Sequence, residues 1–452
     1  MLGFDSIGSA ILIAYDGAPI LTTDAWINDD AYFGSWTHDY AIPVEQLDAI
    51  RRAKFHWFSH GHPDHLNVES LPVLAGGEFL LSDHFGGRIR RELEDLGHRV
   101  RVLKDRQWVR LSERINVYSI ANVNQDSILL IDIAGTLIVN TNDSPDFGAS
   151  IHVKRIAKHF KKVFYCALHG WGGADMINLF DADGRKLIDP LQRRRPIAPR
   201  AQRGAKIYGA NYVIPFSGFH AYQREDSAWA NGLIPSLDDY QSSALPNGPQ
   251  MLPAFVRVNV ENNDIQHISP PRNQLRLRPP ADFGDNWSDP LTKEDAGKID
   301  TYFRAREHLV ENFGFIEVKF GGKSHVVDLN PNRKSHGISF EAPRNSFMTC
   351  LKYEIFDDLL IGNFMKTTLH GDVGLYPDFS PYVAKYGDNG GARTKAELHS
   401  YFLHYFIRDP LASILKKVST GSEQVLRSVI PAESGFFKTA KKLYYQLGSR
   451  RP

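Results

Sequence analysis

The chain contains two cysteines in 452 residues, Cys166 and Cys350. That is too few for a disulfide framework, a four-cysteine zinc site or a cysteine-ligated cluster, and a reducing, cytoplasmic setting is the expectation. No apolar run approaches the ~18 residues that a membrane-spanning helix requires. The opening Met1-Leu2-Gly3-Phe4-Asp5 places no basic segment before the short apolar stretch 7–15, which Asp16-Gly17 ends. A soluble, unprocessed protein with no membrane association is therefore expected. An excess of either charge is also missing, since 53 Lys and Arg face 52 Asp and Glu. A formal charge of +1 offers no general field for nucleic acid, so any anion site must be a local patch.

What is present is an ordinary globular composition, 42% hydrophobic and 23% charged, which excludes disorder as the main state. At roughly 150 residues per domain the length fits two or three domains. Residues 10–15 and 20–23, joined by Asp16-Gly17-Ala18-Pro19, form a predicted hairpin. Residues 54–59 form a strand that enters a His-rich loop. Strands then follow at 78–82, 100–103, 109–111, 116–120, 127–133, 136–140 and 163–168, interleaved with helices near 68–75, 87–96 and 150–162. The alternation through residue 220 indicates α/β or mixed α+β structure. Residues 243–290 hold many prolines and read as a long ordered connection. We place the domain division there, with residues 1–290 catalytic and 291–452 an α+β accessory domain. A pocket-covering or homodimerising role is expected for the accessory domain. No chemical motif stands out in it, and His399 and His404, among Tyr401, Phe402, Tyr405 and Phe406, look like a helix packing into it.

The informative stretch is Phe58-Ser59-His60-Gly61-His62-Pro63-Asp64-His65-Leu66-Asn67. Three histidines and an aspartate fall within six residues on a loop leaving a strand. His60 and His62 can converge on one cation, and Asp64 and His65 can face a second. Imidazole nitrogen with carboxylate oxygen suits Zn²⁺ or Fe²⁺, as one or two ions. The bland alternative, a capped polar surface loop, rarely needs four such residues at this spacing.

This His-x-His-x-Asp-His pattern after a strand resembles the metallo-β-lactamase superfamily. The resemblance implies a four-layer αββα sandwich, α+β in class, over roughly residues 5–275. Asp24-Ala25-Trp26 is similar to the Asp-Pro-Trp segment of two branches, the ascorbate-phosphate lactonase type and the domain in CMP-N-acetylneuraminate hydroxylases. Gly34-Ser35-Trp36, Gly172-Gly173-Ala174 and Tyr212-Val213-Ile214-Pro215-Phe216-Ser217-Gly218 are more similar to the hydroxylase branch. Farther along, Phe356-Asp357-Asp358-Leu359-Leu360-Ile361-Gly362-Asn363 is similar to sterol-carrier-like accessory domains.

By position, the resemblance implies His60 and His62 on the first metal, Asp64 and His65 on the second, and Asp143 between them. A carboxylate there offsets the charge of two neighbouring cations. Two departures stand out. Where the family's third histidine should follow the 116–120 strand, this chain has Asn122-Val123-Asn124-Gln125-Asp126-Ser127. The final histidine is displaced from the position of Phe216, leaving His220 and His169 as candidate ligands. Asn124, Trp36 and Arg194 are candidate substrate contacts. Arg185, Lys186, Arg193, Arg194, Arg195, Arg200, Arg203 and Lys206 crowd a stretch whose only acid is Asp189, which suits an anionic small-molecule substrate or a solvated helix face. His38, His56 and His84 read as structural.

Three functions are consistent with these residues. The first is a metal-dependent hydrolase in which Asp64 positions the attacking water on an ester, lactone, amide or phosphodiester. The second is a non-haem iron oxygenase of the sialate-hydroxylase type. The cysteines of a Rieske cluster are missing here, so electrons would have to come from the substrate, a di-iron centre or a separate electron-donor protein. The third is a non-enzymatic scaffold, against which the intact His60, His62, Asp64 and His65 set speaks.

Overall fold

The structure, a computed structural model, describes residues 1–28, 30–168, 176–187, 197–379, 383 and 391–410. Among these residues two mixed sheets face each other. The first holds, in order, Asp264–His267, Val256–Asn259, Leu2–Ile7, Ile11–Asp16, Ala18–Thr23, Phe55–Phe58, Glu78–Ser82 and Val100–Leu103. The second holds Gln250–Met251, Tyr212–Phe216, Lys162–Leu168, Thr136–Asn142, Ser127–Ile133, Ile115–Ala121 and Trp108–Arg110.

The side-chain period of a strand explains the layering. In Ser127–Ile133, Leu129, Ile131 and Ile133 point between the sheets and meet Phe4, Leu12, Trp57 and Leu80. Ile128 and Leu130 point the other way, onto the helices Ala149–Ala157 and Ile197–Tyr208. The first sheet likewise turns Ile13, Phe58, Phe79 and Leu81 toward Ala49, Ile50, Leu71, Leu74 and Leu93 of its own covering helices. Both faces of both sheets are thus buried, and the αββα sandwich implied by the His loop is what forms. No helix among the described residues is long and apolar enough to cross a membrane.

A third, five-stranded sheet runs Leu179–Asp181, Lys366–His370, Gly337–Glu341, Phe315–Phe320 and Lys323–Asp328. Its phenylalanine-rich core includes Phe303, Phe320, Phe340, Phe347 and Phe356. The edge strand Leu179–Asp181 comes from the middle of the first region, so that segment crosses the division placed near residue 290. The Pro-rich connection is also more than a strap, because Val256–Asn259 pairs with Leu2–Ile7 and extends the first sheet.

The helix Lys395–Arg408 corrects another expectation. Its Tyr401 and Tyr405 pack with Ala121, Phe85 and Val123 of the first region rather than inside the second. Tyr401 donates to Val123 O at 2.6 Å, and Arg408 pairs with Asp83 at 2.7 Å.

Candidate metal centre

Parallel pairing aligns the carboxyl ends of several strands at one edge of the sandwich. Ala18–Thr23 delivers Asp24, Phe55–Phe58 delivers Ser59 and His60, Thr136–Asn142 delivers Asp143, and Tyr212–Phe216 delivers Ser217. Three residues at these ends have left-handed backbone without being glycine: Asp24 at φ 39°, Asn142 at φ 36° and Ser217 at φ 60°. Such conformations cost energy and persist where the surroundings over-determine them. Here they turn the chain sharply enough to bring three strand ends onto one point. A bulge between Asn140 and Asn142 contributes to the same turn.

His60 Nε2 lies 2.8 Å from His62 Nδ1. His65 Nε2 lies 3.4 Å from Asp64 Oδ2 and 3.3 Å from Asp143 Oδ2. Bonds of ~2.0–2.1 Å to one tetrahedral ion set its ligand atoms about 3.3 Å apart, so these separations fit a shared cation. Donor atoms of His60, His65 and Asp143 all fall within 4.8 Å of one another. Each imidazole is turned by a partner on its other nitrogen. His60 Nδ1 meets Ser59 Oγ at 2.8 Å, and His65 Nδ1 meets Asp24 Oδ2 and Ser59 Oγ, both at 3.2 Å. His62 Nε2 meets Asp357 Oδ2 at 3.0 Å. Such outer partners fix the tautomer and leave the inward nitrogen's lone pair for a metal.

The carboxylates are steered as well. Tyr32 donates to Asp64 Oδ1, and Ser217 donates to Asp143 Oδ1 at 2.7 Å. Burial raises the Asp64 pKa, with the nearby His65 cation offsetting part of the rise. Burial acts the same way on Asp143, but His65 and the Ser217 bond outweigh it and bring the carboxyl down to about 2. Burial would depress His65, yet Asp64, Asp143 and Asp24 prevail and hold it well above its ordinary value. The carboxylates around His65 thus favour positive charge at this point, a proton on the ring in the metal-free chain or a divalent ion in its place. Three imidazoles and two carboxylates with these outer partners fit a divalent ion.

Of the other sequence candidates, His220 is buried and stacked on Trp36, the ring centroids 3.3 Å apart and the planes 4° from parallel. Trp36 then meets Tyr32 edge-on at 4.4 Å, so Trp36 is linked to Asp64 through one ring and His220 through two. Asn124 lies in the turn before Ser127–Ile133, and its N–H donates to Asn122 Oδ1 at 2.7 Å. The Asn122 amide donates to Ser144 Oγ at 2.8 Å. The asparagine pair thus closes its own loop where a third histidine was expected. His169 and Arg194 lie outside the described residues, as do Gly172-Gly173-Ala174, Arg193 and Arg195. Arg185 pairs with Asp181 and Asp183, while Arg200, Arg203 and Lys206 are exposed on one face of Ile197–Tyr208.

A cavity of about 440 Å³ adjoins the centre, with Tyr32, Phe33, Pro63, Phe283 and Ile355 in its wall. Its charged residues are Asp30, Asp282, Asp358 and Arg278. Arg278 bridges Asp30 at 2.9 Å and Asp282 at 3.2 Å.

Sequence reasoning missed the roles of Asp24, Tyr32, Ser59, Ser217 and Asp357. Asp24 carried a signal, because it follows a predicted strand and opens the Asp24-Ala25-Trp26 segment. Asp357 carried none, being 295 positions from His62.

No protein-family profile matches the chain. A curated relative, the cytidine monophosphate-N-acetylneuraminic acid hydroxylase of Asterias rubens, is 26% identical over 136 residues. The match spans 28% of this chain and only 21% of the hydroxylase. Similar solved structures include Igni18, a metallo hydrolase of the archaeon Ignicoccus hospitalis, at 14% identity over 59% of this chain and 99% of that one, TM-score 0.35. The isothiocyanate hydrolase from Delia radicum gut bacteria is 12% identical over 59% and 99%, TM-score 0.36. CmlA, a diiron β-hydroxylase from Streptomyces venezuelae, is 16% identical over 52% and 46%, TM-score 0.33. The four-layer sandwich found here, with its His loop at the strand ends, is the arrangement that the resemblance to the metallo-β-lactamase superfamily implies.

Proposed function

We propose that this chain is a metal-dependent hydrolase acting on an ester, lactone, amide or phosphodiester of a small molecule. The observation that carries the reading is the convergence of His60, His62, Asp64, His65 and Asp143 at one sheet edge, each aimed by its own outer partner. His60 and His62 would hold one zinc or iron ion, and Asp64, His65 and Asp143 a second ion or the remainder of a single one. Such an ion supplies Lewis acidity and brings the pKa of its water toward ~7. Tyr32 holds Asp64 by Oδ1 and leaves Oδ2 facing the centre. Burial raises the pKa of this carboxyl, the direction that suits a group positioning or accepting a proton.

The cavity beside Tyr32 and Pro63 is the seat for substrate. Three aspartates against Arg278 favour a neutral or cationic group there over the anionic substrate suggested by the basic stretch, whose described members are paired or exposed. Hydrolysis requires no electron source, which agrees with Cys166 and Cys350 lying buried in separate cores.

The hydroxylase match supports a second reading, an iron-dependent hydroxylase served by a separate electron donor. Elemental analysis of freshly purified protein, with an anaerobic optical spectrum, separates the two. Zinc without visible absorption, together with turnover on ester or phosphodiester panels, upholds the hydrolase. Iron with near-ultraviolet charge-transfer bands and substrate-dependent oxygen uptake overturns it in favour of the hydroxylase.

A further inference from the structure

We infer that Asp357, carried by the C-terminal region, is a positioning residue of the metal centre, so that the centre is complete only with that region docked. The inference rests on the metal-binding part of the reading above and not on the reaction.

Asp357 lies in the first turn of the short helix Phe356–Ile361 and is fully buried. An acid at a helix start is favourable when exposed, but that effect does not explain burial. A buried carboxylate costs several kcal/mol unless it is paired and hydrogen-bonded. The partner it faces is His62, whose Nε2 is 3.0 Å from Asp357 Oδ2. The two nitrogens of one imidazole point in divergent directions, and the other, Nδ1, is 2.8 Å from His60 Nε2. Donation from Nε2–H to Asp357 therefore puts the proton on the far side and the lone pair on the side of His60. Behind His65 the outer nitrogen, Nδ1, meets Ser59 Oγ and faces the Asp24 carboxylate, both at 3.2 Å. Each half of the centre thus has a carboxylate behind a histidine, one from the sandwich and one from the accessory region.

The helix that bears Asp357 is tied to the sandwich just beyond its end. Ser35 Oγ donates to Gly362 O at 2.7 Å. Asn363 accepts from Ile177 N at 3.0 Å and donates to Tyr222 Oη at 3.0 Å. Ile361 packs in one cluster with Trp26, Tyr32, Trp36 and Tyr222. With so many buried ties, Asp357 is fixed relative to His62 rather than swinging on a surface loop.

The test uses the full chain, stripped of metal and titrated with Zn²⁺ or Co²⁺ alone against a chelator of known affinity. Asp357→Asn keeps shape and an acceptor but removes charge, and Asp357→Leu removes both. We expect affinity to fall about 10–100-fold in Asp357→Leu, with a smaller fall in Asp357→Asn and a changed visible cobalt spectrum in each. Melting of the metal-free Asp357→Asn protein reports whether the fold is kept. If Asp357→Leu does not fold, the near-isosteric Asp357→Asn carries the decision. Wild-type affinity and an unchanged cobalt spectrum in folded variants would overturn the role of Asp357 alone. Failure of the wild-type chain to bind either ion would overturn this role and the metal centre together.

Discussion

Tyr32 donates its phenolic proton to Asp64 Oδ1 across 2.5 Å, joining a ring in the cavity wall to a carboxylate of the metal centre. That bond favours the ionised carboxylate against the burial that opposes it. Tyr32→Phe keeps the edge-on contact with Trp36 and removes only the donor. Asp64 should then ionise at higher pH, moving the acidic limb of metal binding or turnover upward by about half to one unit. A pH profile of the two proteins decides it, and coincident limbs would remove Tyr32 from this role.

His65 stands among Asp24, Asp64 and Asp143 at 3.2, 3.4 and 3.3 Å. His65→Ala should abolish tight metal binding. It should also destabilise the metal-free protein by about 3 kcal/mol, because the carboxylates lose the buried cation between them. Denaturant unfolding of both proteins without metal measures this. An unchanged midpoint would mean that the carboxylates are already neutral in the wild type.

Burial pushes His38 and His56 down to about 4 and His84 down to about 3, from an ordinary 6.5. Below about pH 6.5 the unfolded chain takes up these protons while the folded chain does not. Stability is therefore full above that pH and falls as pH drops toward 4. At pH 5 each should cost about 2 kcal/mol. Urea midpoints at pH 7.5 and 5.5 should differ accordingly, with His308, also pushed down to about 4, adding to the fall, and His56→Asn should flatten the dependence by roughly a quarter. A pH-independent midpoint across that window would falsify the assignment.

Gly34 has φ +79°, and a Cβ there would lie 2.0 Å from Phe283 Cδ1. Gly34→Ala strains the backbone and displaces a ring of the cavity wall, at a cost of about 2 kcal/mol. Metal content should stay at the wild-type level while KM rises more than kcat falls. An unchanged KM would place the substrate elsewhere.

The residues that can be read in advance are those whose partners are near in sequence or that end a short, sharply bounded apolar run. His60, His62, Asp64 and His65 share six positions, so their convergence is a local matter of one loop. Asp143 follows the short apolar run Leu137-Ile138-Val139 of a strand buried on both faces, and similar bounded apolar runs mark the strands 78–82, 100–103 and 127–133. What stayed hidden depends on distant pairing. Nothing near Leu2–Ile7 announces that it lies between Ile11–Asp16 and Val256–Asn259. The aromatic face of Lys395–Arg408 has helical spacing whichever body it covers, and only Phe85, Ala121 and Val123 decide which. The domain division near residue 290 follows composition, whereas the third sheet borrows Leu179–Asp181 from the other side of it.

That borrowed strand sets a timetable for synthesis. Leu179 pairs with Thr367 and Asp181 with Leu369, in parallel register. A ribosome adding 5–20 residues per second delivers the partner roughly 10–40 s after the strand itself. Through that interval the sandwich can close while the apolar Leu179 and Phe180 have no sheet to join. Co-translational folding of this chain therefore includes a return step, in which a later region collects a strand left waiting in the middle of the first.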